Sequence, residues 1–350
     1  MPRARRLLAL TVFAGALLAL GILVWPHPGL AQQPHATISG TITLATPGDT
    51  LSTGIEPQLI ILEESQAPTS AQQQADISGA FTFAVDPDPR FNYVPFLIYE
   101  GVRYFSTPSS IRFDDATSST TVAFEVYSTT TAAPDLSIEA TTVIVVALDR
   151  SASTLTLVRE DLINREELTV YVGGDDSVTL RIPVPDGTID AGGLEDDDPD
   201  FSFEGGTVNV SLPLHTGPNS IVTRYIVGYD AAEDMYRLRI TSPLPTSHIE
   251  ARSPESFVSK IEPRGDDARR AADTDFEGDP ILVVELISPA APGQGLVVDL
   301  VGLSGARPAH ILTTTRGAVS GSLFALIVIG GLAIAIARRA APADDTEAPA

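Results

Sequence analysis

The 350-residue chain has no cysteine, a single lysine (Lys260), a single tryptophan and five histidines. Without a thiol there is no disulfide, no thiolate metal ligand, no thiol nucleophile and no covalent c-type haem attachment. Stability must come from a packed core, for which the roughly 285 residues of 32–315 suffice and suggest two domains. The histidines (His27, His35, His215, His248 and His310) show no metal-ligand spacing and no H-E-x-x-H. They are expected on the surface, by loops or strand ends. The one stretch resembling G-x-S-x-G, Val319-Ser-Gly-Ser-Leu323, fails that pattern. No phosphate-binding loop or dinucleotide fingerprint is present. Paired carboxylates for glycoside hydrolysis remain open in so acidic a chain, but no pair is singled out.

Positive charge is also scarce, with 22 Lys and Arg against 45 Asp and Glu and a formal net charge of −23. Residues 32–315 hold 42 of the acids and only 16 of the bases. Such a surface repels nucleic acid and anionic lipid, and favours cations or a basic partner. It also serves solubility.

The N-terminal end lacks acid where the middle is rich in it. Residues 1–31 open with Arg3, Arg5 and Arg6, run apolar from Leu7 to Trp25, break at Pro26 and reach small residues at Ala31. That is the order of a secretory signal peptide cut after Ala31, with an uncleaved anchor as the alternative. Residues 317–337 carry no charge over 21 positions. As a helix they would span about 30 Å, the thickness of the hydrocarbon core. Arg338 and Arg339 follow, which places the tail 338–350 in the cytoplasm. The expectation is a single-pass membrane protein with the bulk of its chain extracellular or periplasmic. Residues 307–316 form the connector to that transmembrane helix. Gly317 and Gly321 have the small-xxx-small spacing that would let two such helices form a homodimer, although glycine is common in membrane helices and explains them as well.

Between the ends the pattern is β. Ile38, Gly40, Ile42 and Leu44 alternate with Ser39, Thr41 and Thr43, a strand with one buried face. Gln58 to Leu62, Ala80 to Val85, Phe91 to Tyr99 and Thr121 to Tyr127 read likewise. After the polar linker from Ser128 to Pro134, further strands are expected from Thr142 to Leu300. In Tyr236-Arg-Leu-Arg-Ile240 the alternation turns Arg237 and Arg239 away from the core. Asp186 to Asp200 and Glu262 to Asp279 lack apolar periodicity and read as solvated loops. The fold class is therefore all-β: two tandem β-sandwich domains, Ig-like or transthyretin-like, plus one C-terminal transmembrane helix. The domains span 32–131 and 136–306.

Ile38-Ser-Gly-Thr-Ile42, Gln58-Leu-Ile-Ile-Leu62 and Asp76-Ile-Ser-Gly-Ala-Phe-Thr-Phe83 give the first block its resemblance to the carboxypeptidase regulatory-like domain, a transthyretin-like sandwich. Phe96-Leu-Ile-Tyr-Glu-Gly-Val-Arg-Tyr104 looks like its later strand-turn-strand. The likeness covers about residues 36–130. It implies a non-catalytic module of the kind that accompanies enzymes, surface proteins and transport proteins; no zinc carboxypeptidase domain follows here. Leu180-Arg-Ile-Pro-Val-Pro-Asp-Gly187 and the Tyr225 strand make the second block similar to uncharacterised β-rich modules of bacterial membrane-anchored proteins.

Candidate sites are few. Asp196, Asp197, Asp198 and Asp200 could offer oxygen ligands to a weakly held Ca²⁺, though the EF-hand spacing is absent and a solvated acidic loop explains them as well. Arg264-Gly-Asp266 spells a cell-attachment tripeptide that chance explains. Asn209-Val-Ser211 is a glycosylation sequon inside an expected strand. Tyr93, Phe96, Tyr99, Tyr104 and Phe105 crowd one hairpin and could stack a sugar, or simply fill a core. No catalytic or cofactor-binding residue emerges. Three readings stand: a non-catalytic envelope or cell-surface protein that displays β-sandwich modules to another, basic, surface protein; a carbohydrate- or Ca²⁺-binding surface module; and an unrecognised hydrolase.

Overall fold

The computed structural model describes residues 36–305, except 64–67, 74, 77, 114–117 and 277–278. The expected signal segment 1–31, the expected connector 307–316, the apolar run 317–337 and the tail 338–350 lie outside the described residues. Among the described residues every regular element is a strand, so the protein is all-β. None of the described residues forms a helix long and apolar enough to cross a membrane. The chain divides into two compact units, one through Ser128 and one from Thr129.

The first unit contains β1 (Ala36–Leu44), β2 (Gln58–Glu63), β3 (Thr69–Gln72), β4 (Ala80–Val85), β5 (Phe91–Tyr99), β6 (Val102–Phe105) and β7 (Ser119–Val126). They form a three-stranded sheet in the order β4-β1-β7 and a four-stranded sheet in the order β3-β2-β5-β6. β1 pairs antiparallel with β4 and parallel with β7. Ile38, Ile42, Phe81, Phe83 and Phe124 are buried from the first sheet, and Leu59, Tyr93, Leu97, Tyr99 and Tyr104 from the second. Gly40 lies in the same inward row as Ile38 and Ile42, and a Cβ there would run into the Phe81 ring. The glycine thus makes room for the phenylalanine. The turn before β4 follows its residue types. Asp76 Oδ1 accepts hydrogen bonds from Ser78 N (2.8 Å) and Ala80 N (2.9 Å), and Gly79 takes a φ of 81°.

The second unit opens with β8 (Thr129–Thr130), β9 (Ile138–Asp149), β10 (Thr154–Arg165), β11 (Val170–Tyr171), β12 (Leu180–Pro183) and β13 (Thr188–Gly192). It continues through β14 (Phe201–Glu204), β15 (Thr207–Val210), β16 (Gly217–Gly228), β17 (Met235–Thr241) and β18 (Thr246–Pro254). It ends with β19 (Lys260–Pro263), β20 (Ala268–Arg270), β21 (Thr274–Phe276), β22 (Asp279–Leu286) and β23 (Gly295–Val301). The main sheet runs β13-β16-β10-β9-β18-β22-β20, with β21 also on β22. Smaller sheets run β12-β15-β14, β17-β23-β19 and β11-β8. One apolar cluster joins inward residues of the main sheet, such as Leu155, Leu157, Val227 and Ile249, to Ile182, Val208, Leu238 and Val298 of the smaller ones. Arg237 and Arg239 are exposed while Tyr236, Leu238 and Ile240 are buried, as the alternation requires.

Two stretches expected to be loops contain strands. β13 lies within Asp186 to Asp200, paired with β16. It is an edge strand that buries Ala191 alone, so apolar alternation gave no signal. β20 and β21 lie within Glu262 to Asp279, and there the cross-strand partners Arg269 and Glu285 form an ion pair of 2.7 Å. β18 also escaped notice, although it runs between β9 and β22, because Ile249 is its one large apolar residue.

Candidate functional site

Alternation sends every second residue of a strand to the far side of its sheet. On the four-stranded sheet of the first unit the far side is apolar too. β2 contributes Ile60 and Leu62, β5 contributes Val94, Phe96 and Ile98, and β6 contributes Phe105. The register makes these neighbours: Ile60 opposes Val94, and Phe96 opposes Phe105. The Phe96 and Phe105 ring centroids are 6.5 Å apart, and the Arg103 guanidinium lies 5.6 Å from the Phe96 centroid. Leu62 is 37%, Ile98 49% and Phe105 54% exposed. Isolated exposed leucines are ordinary on a protein surface; a contiguous apolar row across three paired strands is what marks a contact surface.

The face ends in a concavity at the Ile98 end. Ser52, Thr53, Glu56, Gln58, Ile98 and Glu100 line an open volume of about 340 Å³. Local backbone chemistry sets Glu100 there. Glu100 and Gly101 have φ of 48° and 81° and join β5 to β6 in two residues, the twist of a primed hairpin turn. At the opposite end of the face Arg90 pairs with Asp88 at 2.6 Å and approaches Glu63 at 3.7 Å. The surface is thus a greasy strip with a charge-paired end and an acidic, concave end.

Of the aromatic residues in this hairpin, Tyr93, Phe96, Tyr99 and Tyr104 are buried and only Phe105 is exposed. The Tyr93 hydroxyl donates to Asp86 O (2.5 Å) and that of Tyr104 to Tyr127 O (3.0 Å), and burial pushes both phenols up to about 12. Stacking on a sugar is therefore not what most of these rings do.

Two of the four candidate Ca²⁺ ligands have side-chain partners of their own. Asp196 Oδ1 accepts from Arg224 Nη2 at 2.7 Å, and Asp198 Oδ1 accepts from Asp200 N at 3.1 Å. Asp197 is exposed at a φ of 63° in the turn, and the Asp200 carbonyl accepts from Ser211 N. Among the described residues no three His, Asp or Glu side chains are grouped so as to hold a metal ion. Arg264 of the Arg-Gly-Asp stretch donates from Nε to Asp299 Oδ2 (2.6 Å), so its guanidinium is already engaged. Asn209 lies in β15 as expected. His248 lies inside β18 rather than by a loop, 3.7 Å from Glu250. His215 is part-buried, and burial together with the Arg165 charge lowers its pKa.

Sequence reasoning missed one polar cluster altogether. Arg159 and Asp161 are adjacent inward positions on β10, 2% and 0% exposed. Arg159 donates Nε to Asp161 Oδ2 (2.7 Å), Nη2 to Asp161 Oδ1 (3.0 Å) and Nη1 to the carbonyl of Thr241 on edge strand β17 (3.0 Å). Thr141 Oγ1 donates to Asp161 Oδ1 at 2.5 Å. Burial alone would lower the Arg159 pKa, but the Asp161 charge outweighs it and raises it. Burial pushes the neighbouring Tyr225 phenol up to about 12. The group is closed to solvent and internally satisfied. Its chemistry is structural: it ties β10 to the opposing β17. The signal was available as the i, i+2 spacing of Arg159 and Asp161 in a strand whose other inward residues are Leu155, Leu157, Ile163 and the likewise buried Arg165.

No family model and no curated protein matches the chain. Among solved structures it has weak similarity to the M1 zinc metallopeptidase from Deinococcus radiodurans. That match has 14% identity and a TM-score of 0.27, and covers 47% of this chain and 42% of that one. A DUF3823 family protein from Parabacteroides merdae matches at 12% identity and a TM-score of 0.19, over 54% of this chain and 80% of that one. The chain thus spans less than half of the metallopeptidase, and neither likeness bears on what this protein does.

Proposed function

We propose that this is an exported interaction protein without catalytic activity, held by the apolar run 317–337 and docking another envelope or surface protein through the outer face of its four-stranded sheet. The observation that carries this reading is the apolar outer face formed by Ile60, Leu62, Val94, Phe96, Ile98 and Phe105, on which Leu62, Ile98 and Phe105 are exposed, on a sheet whose other face is already the core. Water-exposed apolar area of that extent favours cover by a partner. The signal-like residues 1–31 and the arginines after the apolar run support export with the sandwiches outside. The two packed sheets of the first unit, with the Asp76 turn and the Phe81 and Phe83 core, support its assignment as a transthyretin-like module of the carboxypeptidase regulatory-like kind, the first of two tandem sandwiches.

The test has two arms. Protease added outside spheroplasts or intact cells should digest residues 32–315 and spare a tag placed after Ala350; loss of the tag would reverse the orientation. The pair Ile98→Ser and Phe105→Ser, introduced in the full chain, should abolish recovery of a specific crosslinked neighbour while leaving the thermal midpoint in place. Undiminished crosslinking with both serines present would remove this face from the account.

A further inference from the structure

The proposed docking face has polarity, and its polarity names the chemistry of what it docks. We infer that the partner segment is amphipathic and basic: apolar side chains cover Leu62, Val94, Phe96 and Phe105, and a lysine or arginine enters the concavity beside Ile98, between Glu56 and Glu100. This rests on the docking reading above and adds the identity of the occupant.

Three observations converge on it. The concavity of about 340 Å³ opens directly off the apolar row, because Ile98 is at once its wall and the last residue of that row. Its charged lining, Glu56 and Glu100, is acidic, and both residues are exposed. On the same face Arg103, opposite Ile98, lies over the Phe96 ring, and Arg90 pairs with Asp88 and Glu63 at the far end. A long aliphatic stem with a cationic tip suits such a site, since the stem packs on Ile98 while the tip reaches the carboxylates. An acidic partner would meet like charge at this end, and the surrounding unit repeats the lesson, with eleven acids in residues 36–128 against Arg90, Arg103 and Arg112 alone. Along β5 the face runs from Asn92 to Ile98, about 20 Å at strand rise, the reach of a short extended segment or about four turns of helix.

The experiment uses the full chain in zwitterionic lipid nanodiscs, with empty nanodiscs as the blank. The probes are fluorescein-labelled peptides of alternating Lys-Leu and alternating Glu-Leu sequence, read by anisotropy. The Lys-Leu peptide should bind and the Glu-Leu peptide should not. Glu56→Gln with Glu100→Gln should weaken Lys-Leu binding on the order of three- to tenfold. Glu139→Gln with Glu195→Gln changes net charge equally on exposed residues of the second unit and should leave binding unchanged. Equal weakening by both pairs would show that overall acidity, not the concavity, attracts the peptide; equal binding of the Glu-Leu peptide would overturn the basic occupant. Either outcome would leave the docking face standing provided Ile98→Ser with Phe105→Ser still abolishes binding. Lys-Leu binding that survives those serines, with the thermal midpoint unchanged, would overturn the face itself.

Discussion

The two sheets of the first unit bury similar residues inward and show opposite characters outward. The outer side of β4-β1-β7 is hydroxyl-bearing: Thr37, Ser39, Thr41 and Thr43 on β1 run beside Thr82 on β4 and Ser119 and Thr121 on β7. Threonine satisfies a strand through its branched Cβ and satisfies water through its hydroxyl. The outer side of β3-β2-β5-β6 carries Leu62, Phe96, Ile98 and Phe105 instead. Both sheets need only one apolar face to build the sandwich. The difference teaches that the second sheet carries apolar residues on both faces, more than a sandwich requires, and a contact outside the unit is what such a face is suited for.

The largest effects should come from inward positions, whether charged or apolar. Asp161→Asn leaves the Arg159 guanidinium buried without its counter-charge, and should destabilise the second unit by about 3–5 kcal/mol in urea unfolding. A loss under about 1 kcal/mol would mean that the pair is replaceable and that its tie to β17 is incidental. In the first unit Leu97→Ala, fully buried on the inner side of β5, should cost about 2–5 kcal/mol. Its neighbour Ile98→Ser points the other way and should change stability by no more than about 0.5 kcal/mol while removing docking. If Ile98→Ser destabilised the fold as much as Leu97→Ala, the outer face would be part of the core and the comparison would collapse.

A smaller effect is expected in acid. Burial pushes the Asp299 carboxyl up, but hydrogen bonds from Arg237 and Arg264 outweigh it and hold it below the ordinary aspartate value of 3.8. A depressed folded pKa contributes stability that is fully present above the unfolded value and is lost as pH falls through the folded one. The stability gap between the parent and Asp299→Asn should therefore close as pH drops below about 3.8. A gap independent of pH would mean that the arginines do not stabilise the ionised form. The smallest effect belongs to Thr82→Val on the hydroxyl face, expected within about 0.5 kcal/mol and without influence on docking.

Much of this architecture was legible from alternation. Ile38 and Ile42, Phe81 and Phe83, and the outward Arg237 and Arg239 fell where a period of two puts them. Alternation failed where its premise failed. β13 and β20 are short edge strands with almost nothing to bury, and β18 buries Ser253 and Ala251 as well as Ile249. The candidate face was hidden for the opposite reason. Phe96-Leu97-Ile98-Tyr99 is a continuous apolar run, which a sequence reading assigns wholly to the core, and only the register separates Leu97 and Tyr99 from Ile98. The concavity could not be foreseen, because Glu56 and Glu100 come from a loop and a hairpin tip separated by 44 positions.

The central claim is that one outer face of the first unit meets a partner and the other meets water. A photo-activatable amino acid placed singly at Ile98, Phe105, Thr82 or Thr121 of the full chain, in the membranes of cells that produce it, tests this directly. The account predicts that positions 98 and 105 form a discrete crosslinked species, that Thr82 and Thr121 form none, and that the species weakens when Glu56 and Glu100 are both glutamine. Crosslinks of equal yield from Thr82 and Phe105, or from neither, would contradict it.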